Sequence, residues 1–231
     1  MGIVVNDSQN LFMLQTRSNS YAFGIDNQGL VRHLYWGSRI NAMEDFEMPE
    51  LAEVSTNDPV YEITKEEFPV YGGLRYKEHC LKVTFADGTR DVAYEYVNYE
   101  IQKNEQCEEL VIILKDKHYA LVMELHYKIY EAYDLMERFV VLKNESTEVM
   151  QIEKLHSGQF HVPYEGLNFR NVHGHWGAEQ QKFVQKVDYG KIIFENRRGI
   201  SSHNHNPYFI LDQDATETTG NVYFGALRMT G

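Results

Sequence analysis

From Leu121 to Tyr130 the chain changes character at every step: Leu121, Met123, Leu125, Tyr127 and Ile129 alternate with Val122, Glu124, His126, Lys128 and Tyr130. A period of two matches an extended chain, whose successive side chains point to opposite faces, and does not match the 3.6-residue repeat of a helix. The segment is predicted to be a long strand with one buried face. Similar runs occupy residues 11–16, 21–25, 30–36, 81–85, 92–101, 110–114, 135–142, 149–161, 191–195 and 221–229. Short polar breaks separate them, among them Asp26-Asn27-Gln28-Gly29, Ala86-Asp87-Gly88-Thr89, Lys115-Asp116-Lys117 and Thr218-Thr219-Gly220, which are turns of hairpin type. No window keeps a helical stripe, and parallel pairing would need crossover helices that the sequence does not supply. The expected fold is all-β, a large antiparallel β-sandwich with little or no helix.

Residues 38–73 break the pattern with acids, Asn and three prolines, Pro49, Pro59 and Pro69, and are predicted to be a long excursion from the sheets. At 231 residues the chain is long enough for one domain with a sizeable core. The formal net charge is -12, which repels a phosphate backbone or an anionic lipid surface, so neither nucleic acid nor membrane is an expected partner. Cys80 and Cys107 have no metal-type spacing, and the first residues lack the basic start and apolar core of a secretory signal, so a cytoplasmic location is expected. Residues 221–231 read as a strand that stops without a polar tail, so further polypeptide is expected after it.

Two segments carry candidate chemistry. His173-Gly174-His175 and His203-Asn204-His205 are H-x-H pairs, a spacing that on a strand directs both imidazoles to one face, as a metal site on a β-scaffold needs. The stretch around His203 reads as loop, and no carboxylate is placed to complete either set. No metal is therefore expected, and the imidazoles are read as hydrogen-bonding groups that hold a loop in shape. Trp36 and Trp176 suit stacking on a sugar face, or equally a core or domain-interface anchor. Glycoside hydrolysis needs two carboxyl groups flanking the scissile bond, and the strand-and-helix alternation that would place them on a barrel is absent. With no nucleophile elbow and no phosphate-binding glycine loop either, no catalytic residue is expected in this chain.

Five motifs in order resemble the N-terminal β-sandwich module of glycoside hydrolase family 36 α-galactosidases. They are Phe12-Met13-Leu14-Gln15-Thr16, then His33-Leu34-Tyr35-Trp36-Gly37, then Phe68-Pro69-Val70-Tyr71-Gly72-Gly73-Leu74-Arg75, then Gly174-His175-Trp176-Gly177-Ala178-Glu179, and last the run from Arg197 to Phe209. The closing residues 220–231 are similar to the strand that ends the module. The resemblance implies a single β-supersandwich, galactose mutarotase-like, over residues 1–231, followed by a catalytic (β/α)8 barrel that hydrolyses terminal α-galactosides with retention and needs no cofactor. It implies a cytoplasmic homo-oligomer in which this module supports the barrel and lends loop residues to a neighbouring active site. Asp58, Tyr71, Arg75, Trp176 and Glu179 are the residues it directs towards sugar or partner, and Arg198, Ser201, His203, His205 and Asn206 those it assigns to a structural loop. Gly73 and Ala178 depart from the family's pattern, where an Asp and an Arg often stand, and leave the choice of α-linked sugar open. The alternative is a free-standing carbohydrate-binding protein that uses Trp36 and Trp176; a third reading is a metal-dependent sandwich enzyme built on His173, His175, His203 and His205.

Overall fold

The computed structural model describes residues 2–44, 46–48, 64–73, 75–163, 165–195 and 204–228. Asp58, Arg198, Ser201 and His203 lie outside the described residues. The chain divides into two compact units, Met1–Val162 and Pro163–Gly231, where the sequence reading treats it as one.

In the first unit β1 (Ile3–Asn6), β2 (Leu11–Gln15), β3 (Asn19–Ile25) and β4 (Val31–Ser38) form an antiparallel meander. After β5 (Leu81–Thr84), a second meander runs through β6 (Tyr94–Lys103), β7 (Glu108–Asp116), β8 (Leu121–Tyr130) and β9 (Leu135–Asn144), with one 3-10 turn, Glu131–Tyr133, between the last two. β10 (Gln151–Leu155) then pairs with β5. The alternation in β8 places its side chains as read: Leu121, Met123, Leu125, Tyr127 and Ile129 are all buried. They meet Phe12, Leu14, Tyr21 and Phe23 of the first meander in one core, where the Phe23 and Tyr127 rings stack 4.8 Å apart. Burial of so many large side chains is the main favourable contribution to this unit's stability.

The run Leu11-Phe12-Met13-Leu14 is apolar at every position because β2 is buried on both faces. Its second face is covered by Ile40, Met43, Phe46 and Met48, so the excursion after β4 turns back onto the sheet that it left. The excursion also ends in the core, since Glu66, Glu67, Phe68 and Val70 have no exposed surface. Among the described residues of 39–73 no strand forms, as an excursion from the sheets implies, yet these residues pack on the core. A strand expected over 149–161 is only β10, because its partner β5 offers four residues to pair with. Beyond β10, Phe160 and His161 turn to the rings of Trp36 and His33.

The second unit holds one antiparallel sheet, in the order β12 (Ala178–Lys186), β11 (Asn168–His175), β13 (Tyr208–Asp212) and β14 (Val222–Ala226). The strand expected over 191–195 does not form. That segment lies across the sheet as irregular chain, and its Phe194 ring stacks on Phe169 at 5.0 Å and meets Phe183 edge-on at 5.4 Å. Its apolar residues are there to pack on a face and do not extend the ladder.

Candidate functional site

The first unit carries a buried charge network at the base of the segment that bears Tyr71 and Arg75. Backbone bonds set the segment's path: Glu67 N donates to Val31 O at 2.9 Å, Cys80 N to Pro69 O at 2.7 Å, and Tyr71 N to Leu81 O at 2.8 Å. This leaves the adjacent acids Glu66 and Glu67 inside the protein, and a buried carboxylate is tolerated only with partners that replace water. Glu67 has four. The Tyr21 hydroxyl donates to both of its oxygens at 2.7 and 2.8 Å, Tyr127 donates at 3.1 Å, His33 Nδ1 lies 2.9 Å from Oε1, and Arg138 reaches Oε2 at 2.7 Å. Burial pushes the Glu67 carboxyl up, but the Arg138 charge and the His33 and Tyr21 hydrogen bonds outweigh it and hold it below the usual carboxylate range. Arg138 also donates to the carbonyls of Gln159 and Glu67 and lies over the Tyr127 ring at 4.9 Å.

Glu66 is held separately. Arg75 Nε lies 3.2 Å from each of its oxygens, Lys77 Nζ lies 2.8 Å from Oε1, and the Glu66 backbone carbonyl is 2.9 Å from His161 Nε2. Arg75 is therefore turned inward, its side chain only 8 % exposed, while Tyr71 is partly exposed, with Lys82 Nζ 5.1 Å from its ring. Gly72 and Gly73 take φ of 121° and 59° between them, backbone that a residue with a side chain adopts at a cost. A tight turn is thus the physical need met by glycine at 73. Trp36 packs against Tyr21 and Phe160 at the rim of the core, so within this chain it is a packing residue.

The second unit presents Trp176 quite differently. β11 and β12 are joined by Trp176-Gly177, with Gly177 at φ 81°, and Trp176 is 90 % exposed, which excludes a core role within the described residues. Glu179 shapes the tip by accepting from Gly177 N at 2.9 Å. The register shifts between His173 and His175, and the extra residue is on β12, where Gln180 takes φ of 56°, so β11 keeps its two-residue spacing. His175 is exposed, whereas His173 bridges to His205 and their rings lie 6.2 Å apart. Both line an open cavity of about 360 Å³ with Phe183 and Phe194, and His205 Nδ1 is buried there with no hydrogen-bond partner among the described residues. Asn206 ties its segment to β11, its backbone and side-chain nitrogens donating to Val172 O at 3.1 and 3.0 Å, and Asn171 returns a bond to Asn206 O at 3.1 Å. Among the described residues no group of three or more His, Cys, Asp or Glu side chains is arranged to hold a metal ion.

Residues 29–231 match the model of the glycosyl hydrolase family 36 N-terminal domain. The chain belongs to this family. Within the family it is 27 % identical to the probable α-galactosidase G of Aspergillus terreus, over 95 % of this chain and 32 % of that protein, and 25 % identical to the bifunctional α-galactosidase/sucrose kinase AgaSK of Mediterraneibacter gnavus, over 96 % of this chain and 26 % of that protein. In fold it matches the crystal structure of the family 36 α-galactosidase AgaB from Geobacillus stearothermophilus with a TM-score of 0.86 at 24 % identity, covering 97 % of this chain and 34 % of that one. The chain thus spans about a third or less of these relatives, and the part it spans is their N-terminal domain.

The network around Glu66 and Glu67 explains family-motif residues that sequence reading left without a role. His33 of the His-Leu-Tyr-Trp-Gly motif is a ligand of Glu67, and Phe68-Pro69 follows the acids into the core. One signal for Arg138 was present: it shares inward parity on β9 with Met136, Val140 and Leu142, which pack on the core, and it pairs across the ladder with Tyr127.

Proposed function

We propose that this chain is the non-catalytic N-terminal domain of an α-galactosidase that hydrolyses terminal α-galactosides with retention. It supports the catalytic barrel, takes part in assembling a cytoplasmic homo-oligomer, and presents Trp176 and the segment around Tyr71 towards sugar or a neighbouring subunit. The observation that carries this reading is the family match over residues 29–231, in relatives of which those residues are only the first part. The exposed Trp176 supports the presenting role, because a tip so fully in water contributes little to the unit that carries it. The test is turnover of p-nitrophenyl α-galactoside. The natural full-length polypeptide is expected to cleave it and the 231-residue chain to leave it intact; turnover by the chain alone overturns the reading. Trp176 also favours a second reading, a stand-alone carbohydrate-binding protein, which calorimetry with melibiose separates: binding by this chain without a barrel supports it.

A further inference from the structure

The segment that crosses the second unit's sheet covers it only in part. Phe194 is seated on Phe169, and beside it the cavity of about 360 Å³ stays open between residues 191–194, β11, β12 and the segment that bears His205. Small-molecule sites run from ~300 to ~1,000 Å³, so the space is of the right order for one small ring. Its walls are rings themselves. Phe194 meets Phe183 at 5.4 Å and His205 at 5.0 Å, each pair at 79°, and His173 lies 6.2 Å from His205 at 50°. Rings set nearly at right angles offer both faces and edges, an arrangement into which a further aromatic ring fits. Ile193, 65 % exposed, adds an apolar edge.

The polar groups of the cavity are few, and they can donate. Nδ1 of His205 is buried with no hydrogen-bond partner among the described residues, and stranding an N–H there costs more than stranding a lone pair. In the neutral ring the proton is therefore assigned to Nε2, the nitrogen still open to a partner. Gln185 and Lys191 bring an amide and an ammonium group, and no carboxylate stands among the described lining residues. A ligand held here thus supplies an acceptor oxygen. A full anion is opposed by the formal net charge of -12, which favours a neutral oxygen on an aromatic ring.

We propose that this cavity binds a small phenol, its ring held among Phe183, Phe194 and Ile193 and its hydroxyl oxygen accepting from His205 Nε2. The site uses neither Trp176 nor Tyr71 and does not rest on the functional reading above.

Calorimetry of the natural polypeptide with phenol tests this. Saturable binding is expected at roughly millimolar phenol, as so small a ligand allows. Cyclohexanol lacks the aromatic ring and toluene the oxygen, and each is expected to bind about ten-fold more weakly. His205→Phe keeps a ring in place and strands no polar atom, so it is expected to fold as the parent does and to weaken phenol about ten-fold. Ile193→Trp, at an exposed position on the rim, fills the space and is expected to abolish binding, whereas Trp176→Ala leaves it unchanged. Binding that is absent, that survives either substitution in the lining, or that falls with Trp176→Ala overturns the proposal. It is equally overturned if cyclohexanol or toluene matches phenol, if benzoate binds more tightly, or if melibiose displaces the bound phenol, which would make the cavity a sugar site.

Discussion

Glu67 shows how one residue can organise a site from inside. Its carboxylate has no exposed surface, and its four partners come from β3, β4, β8 and β9, so it links both meanders of the first unit to the segment that carries Tyr71. Removing it leaves Arg138 buried without its counter-charge, and Glu67→Ala is expected to cost about 3–5 kcal/mol, read from urea unfolding. Glu67→Ala combined with Arg138→Met removes both charges and is expected to recover part of that loss; a double variant as unstable as the sum of the singles counts against the coupling. The pH dependence has a definite sign. The carboxyl is held below its unfolded value, so its stabilisation is present above about pH 4.3 and is lost as pH falls through the folded value. Cys80, beside this network, is pushed up to about 12 by burial and is expected to resist alkylation in the native state, whereas labelling at the rate of a free thiol in solution refutes this.

Two turns illustrate the same logic at the level of elements. Asp134 follows the 3-10 turn between β8 and β9 in the left-handed region, φ 54°, and its carboxylate accepts from Ser18 N at 2.9 Å and from the hydroxyls of Ser18 and Thr16, which tie that turn to the β2–β3 turn. Burial is the largest single influence and raises its carboxyl, but these hydrogen bonds together prevail and bring it down to about 2. Its contribution is therefore complete above about pH 4 and is lost between there and pH 2. Asp134→Asn tolerates the same backbone, so it is expected to flatten the stability profile in that window without unfolding the turn, as acid titration followed by circular dichroism would show. In the β11–β12 hairpin a Cβ on Gly174 would lie 2.6 Å from Ala178 O and 2.8 Å from Glu179 Cα, both in the opposing strand. Gly174→Ala is expected to cost about 1–3 kcal/mol, while Trp176→Ala, at the exposed tip, stays within about 0.5 kcal/mol of the parent. Thermal unfolding of the two variants checks this contrast, and a large loss from Trp176→Ala would place the indole in a packing role.

For the molecule as a whole, charge excludes one class of partner. A formal net charge of -12 predicts no retention on heparin at physiological salt, and retention there refutes the reading that polyanions are excluded. Exposed large apolar side chains occur in both units, from Tyr71, Tyr133 and Val149 in the first to Trp176, Tyr189 and Phe224 in the second.

Strand character was legible wherever one face is buried and the other wet, because alternation then follows directly from the pleat, as in β8. The all-β class and short polar turns such as Asp26-Asn27-Gln28-Gly29 between β3 and β4 follow from the same local rules, and the family's motifs were legible as residues in order. Tertiary structure alone decided that Glu67 lies in the core, since the Arg138 and His33 that hold it there are 71 and 34 residues away. It also decided that the apolar run 191–195 packs on a sheet without joining it, and that His173 meets His205 while His175 is exposed. Local periodicity reports which side of a chain avoids water, whereas the choice of partner depends on groups brought together only when the chain closes on itself.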